Sequence, residues 1–297
     1  VRALVTGSEG FAGRHLVKAL RADGHDVRRF DLRLSGDVRD YERVRDAVEA
    51  AEPDWVFHLA AVAWPGESLA DPRRSLDVNV TGALNVLEAV RVTGSDARVL
   101  LAGTSEEYGY EGRAPGERLT EDSACRPTTP YGVSKLAATT LGMVYARRFG
   151  MNVVATRAFN HTGWGRQAVN AESAFARRIV AVERGEADHV AHGDLSSVRN
   201  FTSVHDVVAA YRLAVTLEPG IYNICSADSV PLSSVMGILT GLSTVSDVPL
   251  KQDPGLGRTD RGVFPEPSCE PLRAAGWQPL IPLKAALTEV LEYWRSR

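Results

Sequence analysis

Apolar runs and helix-periodic stretches alternate along the first half of the chain. Residues 2–7 form a short apolar run ending in glycine, and residues 11–24 carry Phe11, His15, Leu16, Ala19 and Leu20 at helical spacing. That pattern predicts a strand, a tight turn and a helix. The alternation continues with strands predicted at 26–31, 54–61, 98–103 and 152–159, and helices at 41–52, 75–90 and from Pro130 onward. Strands separated by helices of this length need crossover connections, so the predicted class is α/β, a doubly wound parallel sheet with helices on both faces. After residue 160 the rhythm loosens: helices are predicted at 172–185, 205–218 and 283–296 and a strand at 220–226, with Gly- and Pro-rich sequence over 253–271. The expectation is a main unit over 1–160 and a smaller lobe over 161–297, with segments near 198–226 returning to the main unit.

Composition narrows the classes of function. With 297 residues, 44% hydrophobic and 24% charged, the chain can bury a substantial core. A formal charge of −3 argues against general nucleic-acid binding, which needs a concentrated basic surface. No uncharged apolar run approaches the length of a membrane span. Val1 opens directly into a strand pattern, and Cys125, Cys225 and Cys269 are few, odd in number and widely spaced. A reduced, cytoplasmic protein without a signal peptide is expected.

The first strand–helix junction reads TGSEGFAG over 6–13, placing Gly7, Gly10 and Gly13 in a GxxGxxG spacing with Phe11 opening the helix. Such a turn lets backbone N–H groups approach a pyrophosphate, and the helix N-terminus favours the anion. In a βαβ unit this points to a dinucleotide; a turn used only for packing is the competing reading. Asp31 at the end of the second strand can accept bonds from both adenosine ribose hydroxyls and repel a 2′-phosphate, which favours NAD. Arg28, Arg29 and Arg33 leave NADP open. Asp37 and Val38 either close over the adenine or simply enter a helix.

Further along, PYGVSK over 130–135 sets Tyr131 and Lys135 four apart, on one face of a helix that Pro130 and Thr128 or Thr129 can start. A nearby ammonium eases formation of a phenolate, so this pair is acid–base machinery for alcohol–ketone redox. Thr104, Ser105, Glu106 and Glu107 leave the carboxyl end of a buried strand, where open parallel sheets place their ligands. A hydroxyl there can bond the reacting oxygen and a carboxylate can move a proton, whereas a polar cap on the strand is the structural alternative.

Taken together with DVRD, HLAA, DVNVTGALNVLEA, GTSEEYG, RAFNHTG, RNFTSVHDVV and GIYNICS, these motifs resemble the extended short-chain dehydrogenase/reductase family in its nucleotide-sugar branch, nearly end to end. The resemblance implies a Rossmann-like sheet with a C-terminal substrate-binding lobe, and a nucleotide-diphosphate sugar as substrate. Tyr131 would be the catalytic acid–base, Lys135 would hold the nicotinamide ribose and tune Tyr131, and Thr104 would be the hydroxyl partner. Leu59, Ala60 and Ala61 would line the cofactor channel. Asn160 would contact the diphosphate or sugar, Arg199 would neutralise a substrate phosphate, and Ser105 and Arg258 would also face the substrate. Within the branch the chain looks most like GDP-4-keto-6-deoxy-mannose reductases, with GDP-mannose 4,6-dehydratases close by. It departs from that pattern at Trp164, Thr259 and Arg261, and at Val62, Ala63, Trp64 and Pro65, so a different base or sugar stays open. A homodimer through the amphipathic stretch 82–94 is also implied.

Hydride transfer at C4 of the sugar is common to reductase, 4-epimerase and 4,6-dehydratase readings, and Glu106 suits a dehydratase without deciding the matter. A non-catalytic dinucleotide sensor could lose the Tyr–Lys pair, which this chain keeps. No metal is expected: His189, His192 and Asp194 read as surface polarity and His58 as a core histidine. Cys125 reads as an inert loop thiol.

Overall fold

The computed structural model describes residues 1–114, 116–256 and 264–297. Its main sheet contains β1 (Arg2–Thr6), β2 (Asp26–Phe30), β3 (Trp55–His58), β4 (Arg98–Thr104), β6 (Val153–Ala158) and β10 (Gly220–Ile224), with the short β5 (Arg118–Leu119) lying apart. All neighbours in the order β2-β1-β3-β4-β6-β10 run parallel. From β1 the chain goes outward to β2 and then returns past β1 to β3. The carboxyl ends of β1 and β3 therefore bound a crevice at a topological switch point.

Side chains of these strands alternate between two cores. Ala3, Val5, Phe57, Leu100 and Val154 join Leu16, Val17 and Leu20 of α1 (Phe11–Ala22) and Val207, Val208 and Tyr211 of α8 (Val204–Ala214). Leu4, Val56, Val99, Leu101 and Val153 face the other way, against α2 (Tyr41–Ala51), α5 (Gly82–Val92) and α6 (Pro130–Phe149). The period-two pattern of buried strands thus fills both faces of one sheet. A third core, formed by α7 (Ala171–Glu183), α9 (Leu232–Thr240) and α11 (Leu283–Arg295), holds Phe175, Ile179, Met236, Leu239 and Leu291. Among the described residues three small sheets accompany the main one: β7 (Asn160–Thr162), β9 (Val198–Ser203) and β11 (Ser229–Pro231); β8 (Val190–His192) with β12 (Leu250–Gln252); and β5 with β13 (Glu266–Pro267). The short α10 (Glu270–Ala274) packs beside β10.

Some elements differ from their sequence expectation for local reasons. The helix expected from residue 75 begins earlier, as α3 (Pro65–Ala70) and α4 (Pro72–Leu76), then passes through one π-helical turn, Asp77–Thr81, into α5. Pro65 and Pro72 each open a new helical start, which an uninterrupted period cannot reveal. The strand expected over 152–159 ends at Ala158, and the chain restarts as β7 in a different sheet. Among the described residues no helix is long and apolar enough to cross a membrane.

Candidate active site

The glycine turn, Asp31, Thr104, Tyr131 and Lys135 line one cavity. A cleft of about 1980 Å³ runs across the carboxyl ends of the main sheet, between it and the C-terminal lobe. Ordinary single-ligand pockets hold roughly 300–1,000 Å³, so this one has room for two nucleotides. Gly7 takes φ +68°, and a Cβ there would come 2.6 Å from Ala60 N. A Cβ on Gly13 would come 2.1 Å from Gly7 O. Only bare backbone lets β1, β3 and α1 meet this closely. Gly10 is the N-cap of α1 and supplies no side-chain cap, which leaves the first-turn N–H groups facing the cleft for an anion.

Asp31 lies at the cleft edge, with Oδ2 accepting from Glu9 N at 2.9 Å and Oδ1 from Arg33 N at 3.1 Å. The surrounding arginines differ in what holds them. Arg29 is tied to Glu9 at 2.8 Å, and Arg39 to Asp37 at 2.6 Å and Asp77 at 3.0 Å. Asp37 stays well below its ordinary pKa through that bond to Arg39. It lines the cleft beside Val38, while Asp40 is the residue that caps α2. Leu59, Ala60 and Ala61 line the cleft floor.

Tyr131 and Lys135 sit in the first turns of α6, whose N-cap Thr129 accepts from Gly132 N at 3.0 Å. Both side chains are buried, and both line the cleft. Burial pushes the Tyr131 pKa up, with the nearby Thr104 side chain opposing it, so the hydroxyl holds its proton at neutral pH. Burial lowers Lys135 to about 8, opposed by the charge of Glu107. The Lys135 ammonium has no hydrogen bond or ion pair among the described residues, so its donors are available to a ligand in the cleft.

Several polar residues outside the motifs fix this pair. Tyr131 N donates to Ser68 Oγ at 3.1 Å, and Ser134 Oγ donates to Tyr131 O at 2.7 Å. Asn79, inside the π-helical turn, donates to Ser134 Oγ at 2.8 Å and accepts from Val62 N at 2.8 Å. The stretch from Val62 to Ser68 is therefore anchored to the backbone of Tyr131 at both ends. Sequence reading missed these roles, although a buried Asn on an apolar helix face was a signal that could have found Asn79.

The turn after β4 brings Thr104, Ser105 and Glu106 to the cleft beside Tyr131. Ser105 Oγ accepts from the Tyr110 hydroxyl at 2.6 Å. Glu107 points the other way and is wholly buried. On the lobe side, Asn160 and Arg199 line the cleft, with Arg199 Nη1 donating to Val198 O at 2.7 Å. Arg258 lies outside the described residues, as do Thr259 and Arg261. His161 stacks on Phe11 with ring centroids 5.7 Å apart, and Arg166 lies 4.9 Å over the same ring. Trp164 O accepts from His15 Nε2 at 2.8 Å, fastening the lobe loop to α1.

His58, His189 and His192 do not line the cleft. His58 shares a 2.8 Å bond with Thr6 Oγ1, its Nε2 lacks a partner among the described residues, and burial, then Lys135, lowers it to about 3. His189 bonds Asp188, and His192 Nδ1 bonds Gly193 O at 2.8 Å. No group of three metal-ligating side chains occurs among the described residues. Cys125, Cys225 and Cys269 are free thiols.

The NAD dependent epimerase/dehydratase family matches over residues 3–225. The chain belongs to that family. It is 31% identical over 300 residues to GDP-6-deoxy-D-mannose reductase of Pseudomonas aeruginosa, covering 100% of this chain and 98% of the relative. A structure of RMD from Pseudomonas aeruginosa complexed with NADPH superimposes with a TM-score of 0.89 at 29% identity, covering 100% of both chains. UDP-glucose 4-epimerase of Thermus thermophilus, in complex with NAD, gives 0.87 at 28% identity over 99% of each chain. Enzymes of this epimerase/dehydratase family use NAD or NADP, and the glycine cradle, open α1 terminus and available Lys135 ammonium fit such a dinucleotide.

Proposed function

We propose that this enzyme reduces the 4-keto group of a nucleotide-linked 4-keto-6-deoxy-hexose, with a GDP-linked sugar as first choice. The observation that carries this reading is the buried, protonated Tyr131 beside Lys135 and Thr104 in a cleft sized for two nucleotides. The full-length likeness to GDP-6-deoxy-D-mannose reductase supports the choice among related reactions. When bound, the dinucleotide supplies the hydride. Gly7, Gly10, Phe11 and Gly13 would hold its diphosphate and Asp31 its adenosine ribose, with Asp37, Val38, Leu59, Ala60 and Ala61 along its length. Asp31 favours NAD over NADP.

Proton movement belongs to the chain itself. Tyr131 gives its hydroxyl proton to the C4 oxygen as the carbonyl becomes an alcohol, and Lys135 stabilises the phenolate left behind. Thr104 orients that oxygen through its hydroxyl, while Lys135 also engages the nicotinamide ribose. Asn160, Arg199 and Arg258 bind the substrate diphosphate and sugar with Ser105. The unit 1–160 thus supplies cofactor and chemistry, and 161–297 mainly the substrate. Exposed Val92, Val144 and Phe149 on α5 and α6 suit a homodimer through these helices, in a cytoplasmic setting with reduced cysteines.

Glu106, in the cleft near Tyr131, favours a second reading as a 4,6-dehydratase or 4-epimerase with retained NAD. Supplying GDP-4-keto-6-deoxy-mannose with NADH or NADPH separates the two. The reductase reading expects one reduced cofactor consumed per sugar reduced; turnover of a sugar nucleotide with no added cofactor would replace it by the second.

A further inference from the structure

Glu106 and Glu107 are neighbours in sequence, yet the second has no access to the cleft and is fully buried. Its three bonds reach three separate elements. Oε1 accepts from Thr104 N at 3.0 Å and from Thr139 Oγ1 of α6 at 3.1 Å, while Oε2 accepts from Arg157 Nε of β6 at 2.8 Å. The surroundings are shaped around this carboxylate, since a Cβ on Gly103 would come 2.4 Å from its Oε1. Thr139 lies four residues after Lys135 on the same helix face, so Glu107 sits beneath the lysine that flanks Tyr131.

We propose that Glu107 is a positioning residue for the reaction: its oxygens lock Thr104 and the Tyr131 helix in register, and its buried charge keeps Lys135 an ammonium. A buried lysine without a counter-charge releases its proton readily, because desolvation penalises the cation. Glu107 faces Lys135 from the turn after β4, Tyr131 from its own helix, and His58 from β3. His58 is neutral at ordinary pH, and Arg157 lies across Glu107 as its ion-pair partner. Burial pushes the Glu107 carboxyl up, but its ion pair with Arg157 at 2.8 Å opposes that shift and favours the carboxylate, so the charge that holds Lys135 at about 8 is that of Glu107. The kinetic side of this inference rests on the acid–base reading of Tyr131 and Lys135; the ionisation of Lys135 does not.

The chain has four lysines, Lys18, Lys135, Lys251 and Lys284, so 13C-labelled lysine gives few side-chain signals to titrate. The Lys135 signal is assigned by its loss in Lys135→Arg. In the full chain, with and without NAD, Glu107→Gln is expected to lower the Lys135 midpoint by at least ~1 pH unit. The pH profile of kcat should move to lower pH by the same amount, with roughly a 2-fold loss at pH 7 that grows toward ~10-fold above pH 8. Thr139→Val keeps the charge and should leave the midpoint in place. Because Glu107→Gln strands Arg157, the double variant Glu107→Gln/Arg157→Met is measured beside it. An unchanged Lys135 midpoint in either folded variant overturns the proposal, as does failure of both to fold, which would make Glu107 a fold element alone. Should the midpoint shift while no sugar nucleotide is turned over by the parent enzyme, the reductase reading fails and the role of Glu107 stands.

Discussion

The two walls of the cleft are made of different material. On one side Gly7, Gly10, Gly13 and Ala60 offer backbone and almost no side chain, and what matters is how closely main chains approach. On the other side Asn160, His161, Trp164, Arg166 and Arg199 offer side chains, several held in place by hydrogen bonds or ring contacts. Arg166 is set by buried Glu172 at 3.3 Å and by Asn170 at 2.9 Å, and Trp164 by His15 and Glu289. A diphosphate can be bound by fixed N–H dipoles or by guanidinium forks. The first solution demands missing side chains at set spacings, while the second demands charges brought together by folding. Tyr131, Lys135 and Thr104 lie where the walls meet.

Removing the chemistry at that junction should have the largest effect and leave both walls intact. Tyr131→Phe is expected to cut kcat by at least ~1,000-fold while NAD and sugar-nucleotide affinities stay near parental values, read by steady-state kinetics and calorimetry. A comparable rate in the variant would remove Tyr131 from the mechanism. On the backbone wall, Gly13→Ala forces a Cβ against Gly7 O and should weaken NAD binding by about 100-fold or more, since the turn cannot hold its shape. Titration with a bare nucleoside diphosphate sugar should show the other wall unaffected; equal losses for both ligands would mean the walls are not separable.

On the side-chain wall, Arg199→Met should raise KM for the sugar nucleotide by roughly 10- to 100-fold, the worth of a charged hydrogen bond of about 1.5–3 kcal/mol, with NAD affinity unchanged. A fall in NAD affinity instead would move Arg199 to the cofactor. A further effect falls on stability alone. His58 stays neutral down to about 3, whereas an unfolded histidine titrates near ~6.5. Between those values the unfolded chain takes up a proton that the native chain refuses, so stability falls as pH drops through this window, by up to about 1.4 kcal/mol per unit. Thermal denaturation from neutral to acid pH should show that slope, and His58→Phe should flatten it.

Legibility in the sequence follows the same division. The alternation of strands and helices, the GxxGxxG turn, Asp31 and the Tyr131–Lys135 spacing are local patterns, so composition and period expose them. Thr129 as the α6 cap was equally readable, because a cap acts within three residues. Asn79, Ser68 and Ser134 were not, since their partners are 17 to 63 residues away. The same holds for the opposite fates of Glu106 and Glu107. Adjacent carboxylates look alike in sequence, and only the 3-10 turn after β4 and the position of Arg157 decide which faces the cleft.

What the sequence determined by itself is the class of sheet, the close glycine turn and the placing of Tyr131 and Lys135 on one helix face, because each depends on spacings that the backbone converts directly into geometry. Tertiary structure alone decided which arginines are tied in ion pairs and which buried carboxylate stands under Lys135. It also decided how the arch from Val62 to Ser68 grips Tyr131. Those outcomes depend on desolvation and on partners supplied by distant segments, and neither exists until the chain has folded.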